Sequence, residues 1–235
     1  MSNFVCFVSN KLKTAMITSP KCGYTTIHTY MLYTHTDPPT LAIPITELIK
    51  TGTLKTNTEI PNDYKIYWII REPFKRMVSC FINKFIVYNN TRLSENKLEH
   101  FSRKLLSDIG ITYEELTFNK FLDGIEMLMK HDKNIDPHFN LQVNETKYNK
   151  IKSREIEFVK TSEISQKLKI EYHTNKTPYV QIHENPVDYS DVLAGYIDHT
   201  KLNTDYFESA HDRVREIYHY DYQILGRYFE CDIKK

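Results

Sequence analysis

Glycine is scarce in this chain. There are six in 235 residues, and Gly23 is the one in the stretch from Thr14 to Tyr30, where Lys21, Thr25 and Thr26 stand. That excludes a Walker A phosphate loop, which places two glycines ahead of its Lys-Ser/Thr pair, because here Lys21 precedes the glycine. Cysteines number four, at positions 6, 22, 80 and 231, with no paired spacing and no histidine at metal-site distance. They read as buried or free thiols, not as a zinc site or a disulfide framework. Charge of one sign is missing too. A net +1 provides no global field for nucleic acid or an anionic membrane, so any anion site has to be local. No apolar run is long enough to span a bilayer, and the first residues lack the basic start of a signal peptide. The expectation is a cytoplasmic or otherwise soluble protein. Internal repeats and low-complexity blocks are absent as well.

What is present is ordinary globular composition, with 40% hydrophobic and 26% charged residues, and a length that suits one α/β-sized domain over residues 1–235. Two stretches carry the chemistry. In the first, a short apolar run ends at Ser19-Pro20 and is followed by Lys21, Cys22, Gly23, Tyr24, Thr25 and Thr26. Proline disfavours the helical region at Ser19, so a strand closes there. Gly23 permits a sharp turn. Thr25 and Thr26 stand where a helix begins, with its N–H groups turned back toward the loop. A strand, a turn and a helix start make an anion cradle, to which Lys21 adds a full charge.

In the second stretch, Ile66 to Ile70 form an apolar run expected to be a strand buried on both faces. Arg71 ends it and Pro73 suits the first turn of a helix. Phe74, Met77, Val78, Phe81, Ile82 and Phe85 recur at helical spacing as a core stripe, leaving Arg76, Ser79, Asn83 and Lys84 on the other face.

The order Pro20-Lys21-x-Gly23-x-Thr25-Thr26 resembles the 5′-phosphosulfate loop of sulfotransferases. The downstream Arg71-Glu-Pro-x-x-Arg76-x-x-Ser79 closely resembles their 3′-phosphate motif. Its tail, Asn83-Lys84-Phe85, looks like the carbohydrate sulfotransferases that act on chondroitin, dermatan and related glycans. A third segment, Asp136-Pro-His138-Phe-x-x-Gln142, resembles an Asp-x-His-aromatic-x-Pro-Gln element of that group, with Leu141 in place of the proline. A run near the C-terminus, Tyr218-His-Tyr-Asp221-Tyr-x-x-Leu-Gly226, resembles the group's ending, and residues 177–186 loosely resemble its late loop. The Arg-Gly-x-x-Gly motif of cytosolic sulfotransferases is missing.

The resemblance implies a P-loop-like three-layer α/β fold with a mainly parallel sheet. It also implies 3′-phosphoadenosine-5′-phosphosulfate (PAPS) as sulfuryl donor, no metal, and a carbohydrate acceptor. Lys21 and the loop through Thr26 would hold the 5′ end of the donor, and Arg71 and Ser79 the 3′-phosphate. His138 would be the general base, since an ordinary histidine titrates near neutrality. His28, His35 and His183 are its rivals. Two other functions stay open. A nucleotide kinase would need Glu72 or Glu163 to hold a metal, and a non-catalytic nucleotide- or glycan-binding module would bind without turnover. Neither the acceptor hydroxyl nor the oligomeric state is encoded in any motif.

Elsewhere, four prolines between residues 36 and 63 predict a long connection with one short helix at 46–50. Ser94, Thr117 and Ser162 are expected helix caps, and 155–160 an expected strand.

Overall fold

The structure is a computed structural model and describes residues 5–35, 45–56, 59–88, 91–131, 135–168 and 204–229. His183, Cys231 and the 177–186 segment lie outside them. In chain order the elements are β1 (Val5–Ser9), β2 (Thr14–Thr18), α1 (Tyr24–His35), α2 (Ile45–Lys50), β3 (Leu54–Thr56) and β4 (Lys65–Ile70). Then come α3 (Pro73–Phe81), β5 (Val87–Tyr88), β6 (Thr91–Arg92), α4 (His100–Asp108), α5 (Phe118–His131) and α6 (Glu145–Ile151). β7 (Ile156–Lys160), α7 (Ile164–Lys167), α8 (Thr204–Ile217) and α9 (His219–Leu225) follow among the described residues. No helix among the described residues is long and apolar enough to cross a membrane. Two compact units emerge: Met1–Arg71 with Leu141–Lys176, and Glu72–Asn140 with Thr177–Lys235.

The first unit is a mixed α/β layer structure on a five-stranded sheet in the order β3-β1-β2-β4-β7. Its centre is parallel, as expected: β2 pairs with β4 and β4 with β7. β1 and β3 extend one edge with antiparallel pairings, a feature without a motif of its own. The apolar run of β4 divides between two faces because side chains alternate along a strand. Ile69 joins Phe7, Met16, Ile27, Met31 and Ile164 in one cluster. On Trp68, Phe158 packs at 6.0 Å and Tyr148 of α6 at 6.1 Å. Trp68, Ile69 and Ile70 are 0% exposed, so the strand is buried on both faces. The connection after α1 holds the short helix α2, close to where it was expected, and also the edge strand β3.

The second unit is mainly helical and aromatic. Phe81 meets Phe118 and Phe121 at 5.3 Å each, Phe85 meets Phe121 at 5.5 Å, and Phe139 meets Phe121 at 5.7 Å. The expected stripe of α3 therefore packs as read, but the helix widens into a π turn over Ile82–Ile86 before ending. The side of α3 opposite the stripe is also largely buried. Arg76 is 0% exposed, Ser79 3% and Lys84 8%, so this face is interior. Each long cation has an acceptor: backbone carbonyls for Arg76 and, at 2.6 Å, the half-exposed Glu99 carboxylate for Lys84.

Of the expected caps, Thr117 serves, accepting from the Lys120 N–H at 3.2 Å. Ser94 precedes only a 3-10 turn, because Leu98 is extended and delays α4 to His100. After β7, a 3-10 turn over Thr161–Glu163 displaces Ser162 from the cap of α7.

Candidate functional site

The loop after β2 is built by two backbone choices. The Cys22 N–H bonds the Ser19 carbonyl at 3.0 Å, with Pro20 at the second turn position and Lys21 at φ +67° in the third. This is the pattern of a type II turn, which normally places glycine where Lys21 stands. Gly23 follows at φ +73°. A Cβ at Gly23 would also lie 2.5 Å from Ile164 Cδ1 of α7, so both the backbone and the space favour glycine there. Thr18 Oγ1 donates to the Cys22 carbonyl at 2.7 Å and fixes the loop from inside. Helix α1 then starts, and its first i→i−4 bond runs from the Ile27 N–H to the Gly23 carbonyl at 3.0 Å. The N–H groups of Tyr24, Thr25 and Thr26 precede that bond and lie at the positive end of a twelve-residue helix. At the strand end the Ser19 hydroxyl, 1% exposed, has no hydrogen-bond partner among the described residues.

Because β2 and β4 are parallel neighbours, with Ile17 opposite Trp68, their C-terminal ends open on the same edge of the sheet. Arg71 emerges there beside the loop. Its Nη1 donates to the Lys21 carbonyl oxygen at 3.3 Å. The loop and Arg71 are also joined through Gln142, which is 0% exposed. Gln142 Oε1 accepts from Cys22 Sγ at 2.9 Å and from the Arg71 N–H at 2.9 Å, while Nε2 donates to the Arg71 carbonyl at 2.7 Å. Gln142 closes the third motif, where nothing announces that its amide is turned inward.

Ser79 and His138 belong to the second unit. There, His138 Nδ1–H donates to Asp136 Oδ1 at 2.7 Å, and the His138 backbone N–H donates to the same oxygen at 2.9 Å. A carboxylate on Nδ1 leaves the lone pair on Nε2, the arrangement a general base needs. Burial pushes the Asp136 carboxyl up, but the bonds from His138 outweigh it and hold it below the ordinary carboxylate value. The ring of His138 stacks on Phe101 at 5.4 Å and 10°. Arg76 braces the same loop: Nη1 donates to the Asn140 carbonyl at 2.6 Å and Nη2 to that of Pro137 at 3.1 Å. The Tyr218 hydroxyl donates to the Phe139 carbonyl. Neither Arg76 nor Tyr218 was expected to support a loop.

The rival histidines differ in environment. His35 is buried; its Nδ1 donates to the Met31 carbonyl at 2.8 Å, and its Nε2 accepts from the Ser9 hydroxyl at 2.8 Å. Both ring nitrogens are committed, so its role is structural. His28 lies 6.0 Å from the Tyr24 ring, and burial lowers its pKa. Glu72, which the kinase reading would assign to a metal, caps α3 instead. Its carboxylate accepts from the Phe74 N–H at 3.1 Å and the Lys75 N–H at 2.7 Å, and also from the Tyr222 hydroxyl.

Compared with known proteins, the family model described as "Sulfotransferase family" matches residues 6–228. No curated protein and no solved structure gives a significant match. A match over that much of the chain, on a sheet edge carrying this loop and this arginine, shows that the chain belongs to the sulfotransferase family.

Proposed function

We propose that this protein transfers the sulfuryl group of PAPS to a hydroxyl of a carbohydrate acceptor. The observation that carries the reading is the approach of Arg71 Nη1 to the Lys21 carbonyl, which makes two anion-binding motifs neighbours on one sheet edge. A nucleotide with phosphates at both its 5′ and 3′ positions suits such a pair.

In the reaction, the bond between sulfur and the bridging phosphate oxygen breaks, and a bond from the acceptor oxygen to sulfur forms. Negative charge collects on the departing 5′-phosphate. The Lys21 ammonium and the N–H groups from Gly23 to Thr26 oppose that charge, helped by the Thr25 and Thr26 hydroxyls. The Arg71 guanidinium pairs with the 3′-phosphate through charge-assisted bonds, and the motif assigns Ser79 a further one. The acceptor proton passes to His138 Nε2, and Asp136 stabilises the imidazolium that results. The carbohydrate assignment rests on the likeness of Asn83-Lys84-Phe85 and of the Tyr218–Gly226 run to glycan sulfotransferases.

The test is incubation with PAPS and a panel of unsulfated glycans, reading sulfated product and released 3′-phosphoadenosine-5′-phosphate (PAP) together. Matched appearance of both is expected. PAP binding without turnover on any glycan would favour a binding module, and turnover of ATP instead would favour a kinase.

A further inference from the structure

We infer that Gln142 is a positioning residue that fixes the distance between the two anion-binding motifs, with the Cys22 thiol as its second anchor. The inference deepens the nucleotide-binding reading and rests on it for its effect on affinity.

The argument begins with what each group needs. Arg71 ends a buried strand, and its backbone offers one donor and one acceptor just beyond the last ladder pair, Ile70 with Lys160. Gln142 answers both: Oε1 takes the N–H at 2.9 Å and Nε2 gives to the carbonyl at 2.7 Å. Only one orientation of the amide does this, so its oxygen and nitrogen are assigned by the network itself. The oxygen then has a second lone pair, which Cys22 Sγ fills at 2.9 Å. Cys22 stands between the two positive-φ residues of the loop, Lys21 and Gly23. One side chain therefore holds the backbone at Arg71 and the middle of the phosphate loop at once, and both Gln142 and Cys22 are 0% exposed.

Neighbouring side-chain chemistries fail at this position. Asparagine is one methylene too short to span both anchors. Glutamate accepts from Cys22 and Arg71 but offers the Arg71 carbonyl no donor at neutral pH. Leucine fills the volume and leaves three polar groups without their partner. At Cys22, serine keeps the donor and alanine removes it.

The experiment uses the full chain, with PAP as the probe in calorimetry and hydrogen exchange read by mass spectrometry on the ligand-free protein. Gln142→Leu is expected to weaken PAP binding about tenfold in protein that still melts cooperatively, and Cys22→Ala about threefold, with Cys22→Ser close to wild type. The double variant Gln142→Leu/Cys22→Ala should be no weaker than Gln142→Leu alone, because the shared bond is lost once. In the exchange arm, Gln142→Leu should speed exchange in segments 19–26 and 70–72 together. Unchanged PAP affinity in folded Gln142→Leu, or additive losses in the double variant, would overturn the inference. If wild-type protein binds no PAP, the nucleotide reading falls and the exchange arm decides alone: joint loosening of both segments supports the coupling, and loosening of one or neither overturns it. Should Gln142→Leu fail to fold, Cys22→Ala against Cys22→Ser decides, with equal affinities counting against the inference.

Discussion

Arg76 Nη1 lies 2.6 Å from the carbonyl oxygen of Asn140, so a buried guanidinium on α3 holds the loop that carries His138. A second bond, to Pro137 at 3.1 Å, brackets the histidine from the other side. Replacing Arg76 by leucine removes both charge-assisted bonds and leaves the two carbonyls to find other donors. Thermal or urea unfolding should show a loss of about 3 kcal/mol, in line with bonds to a buried charge. Lysine cannot make the forked pair and should restore less than half of it.

His138 and Asp136 should separate in kinetics. His138→Ala is expected to lower kcat by about a hundredfold or more, the usual contribution of a general base, with PAP affinity unchanged. Asp136→Asn keeps a side chain of the same shape but loses the carboxylate on Nδ1. It should lower kcat by about tenfold with PAP affinity unchanged, because the imidazolium formed on proton transfer loses its counter-charge. A kcat equal to wild type in Asp136→Asn would remove Asp136 from the mechanism.

Gly23→Ala tests the loop. The added methyl meets Ile164 Cδ1 at 2.5 Å on a backbone at φ +73°. The positive φ alone costs about 1 kcal/mol for a residue with a Cβ, and the overlap adds to it. Unfolding should reveal a destabilisation of about 2 kcal/mol, and calorimetry a loss of PAP binding out of proportion to it. Gly52, at φ +72° with open space around its missing Cβ, provides the control for backbone strain alone.

Much of this was legible in the sequence because two physical signals coincide at each strand end. The run Ile66 to Ile70 followed by Arg71-Glu-Pro announces a buried strand and a helix start, and β4 and α3 follow. Pro20 and Gly23 likewise announce a turn before α1. What stayed hidden depends on tertiary partners. Arg76, Ser79 and Lys84 stand opposite the apolar stripe, and periodicity does not show that this side is buried too, with Arg76 bonded to the carbonyls of Pro137 and Asn140 and Lys84 to the Glu99 carboxylate. Gln142 was visible as a motif letter, but its bonds to Cys22 and Arg71 join positions far apart in sequence. The antiparallel edge formed by β1 and β3 had no pattern distinct from other short apolar runs.

His35 links stability to pH. Burial is the main cause of its lowered pKa, opposed by the bond to the Met31 carbonyl and reinforced by Lys11. In the unfolded chain the ring takes its proton near 6.5, and in the folded protein only at lower pH. Below 6.5 the unfolded state therefore holds more protons, and stability falls as pH falls toward the folded pKa. Urea unfolding between pH 8 and pH 5 should show that decline in wild type and a shallower one in His35→Gln. Parallel curves would assign the decline to other groups.

Calorimetric titration of the wild-type protein with PAP and, separately, with ATP is the most direct measurement of whether the loop at Lys21 and the guanidinium of Arg71 grip one doubly phosphorylated adenosine. Saturable PAP binding in the micromolar range, weakened at least tenfold by Arg71→Ala and far stronger than for ATP, is the predicted result. ATP binding equal to or tighter than PAP, or PAP affinity indifferent to Arg71→Ala, would contradict it.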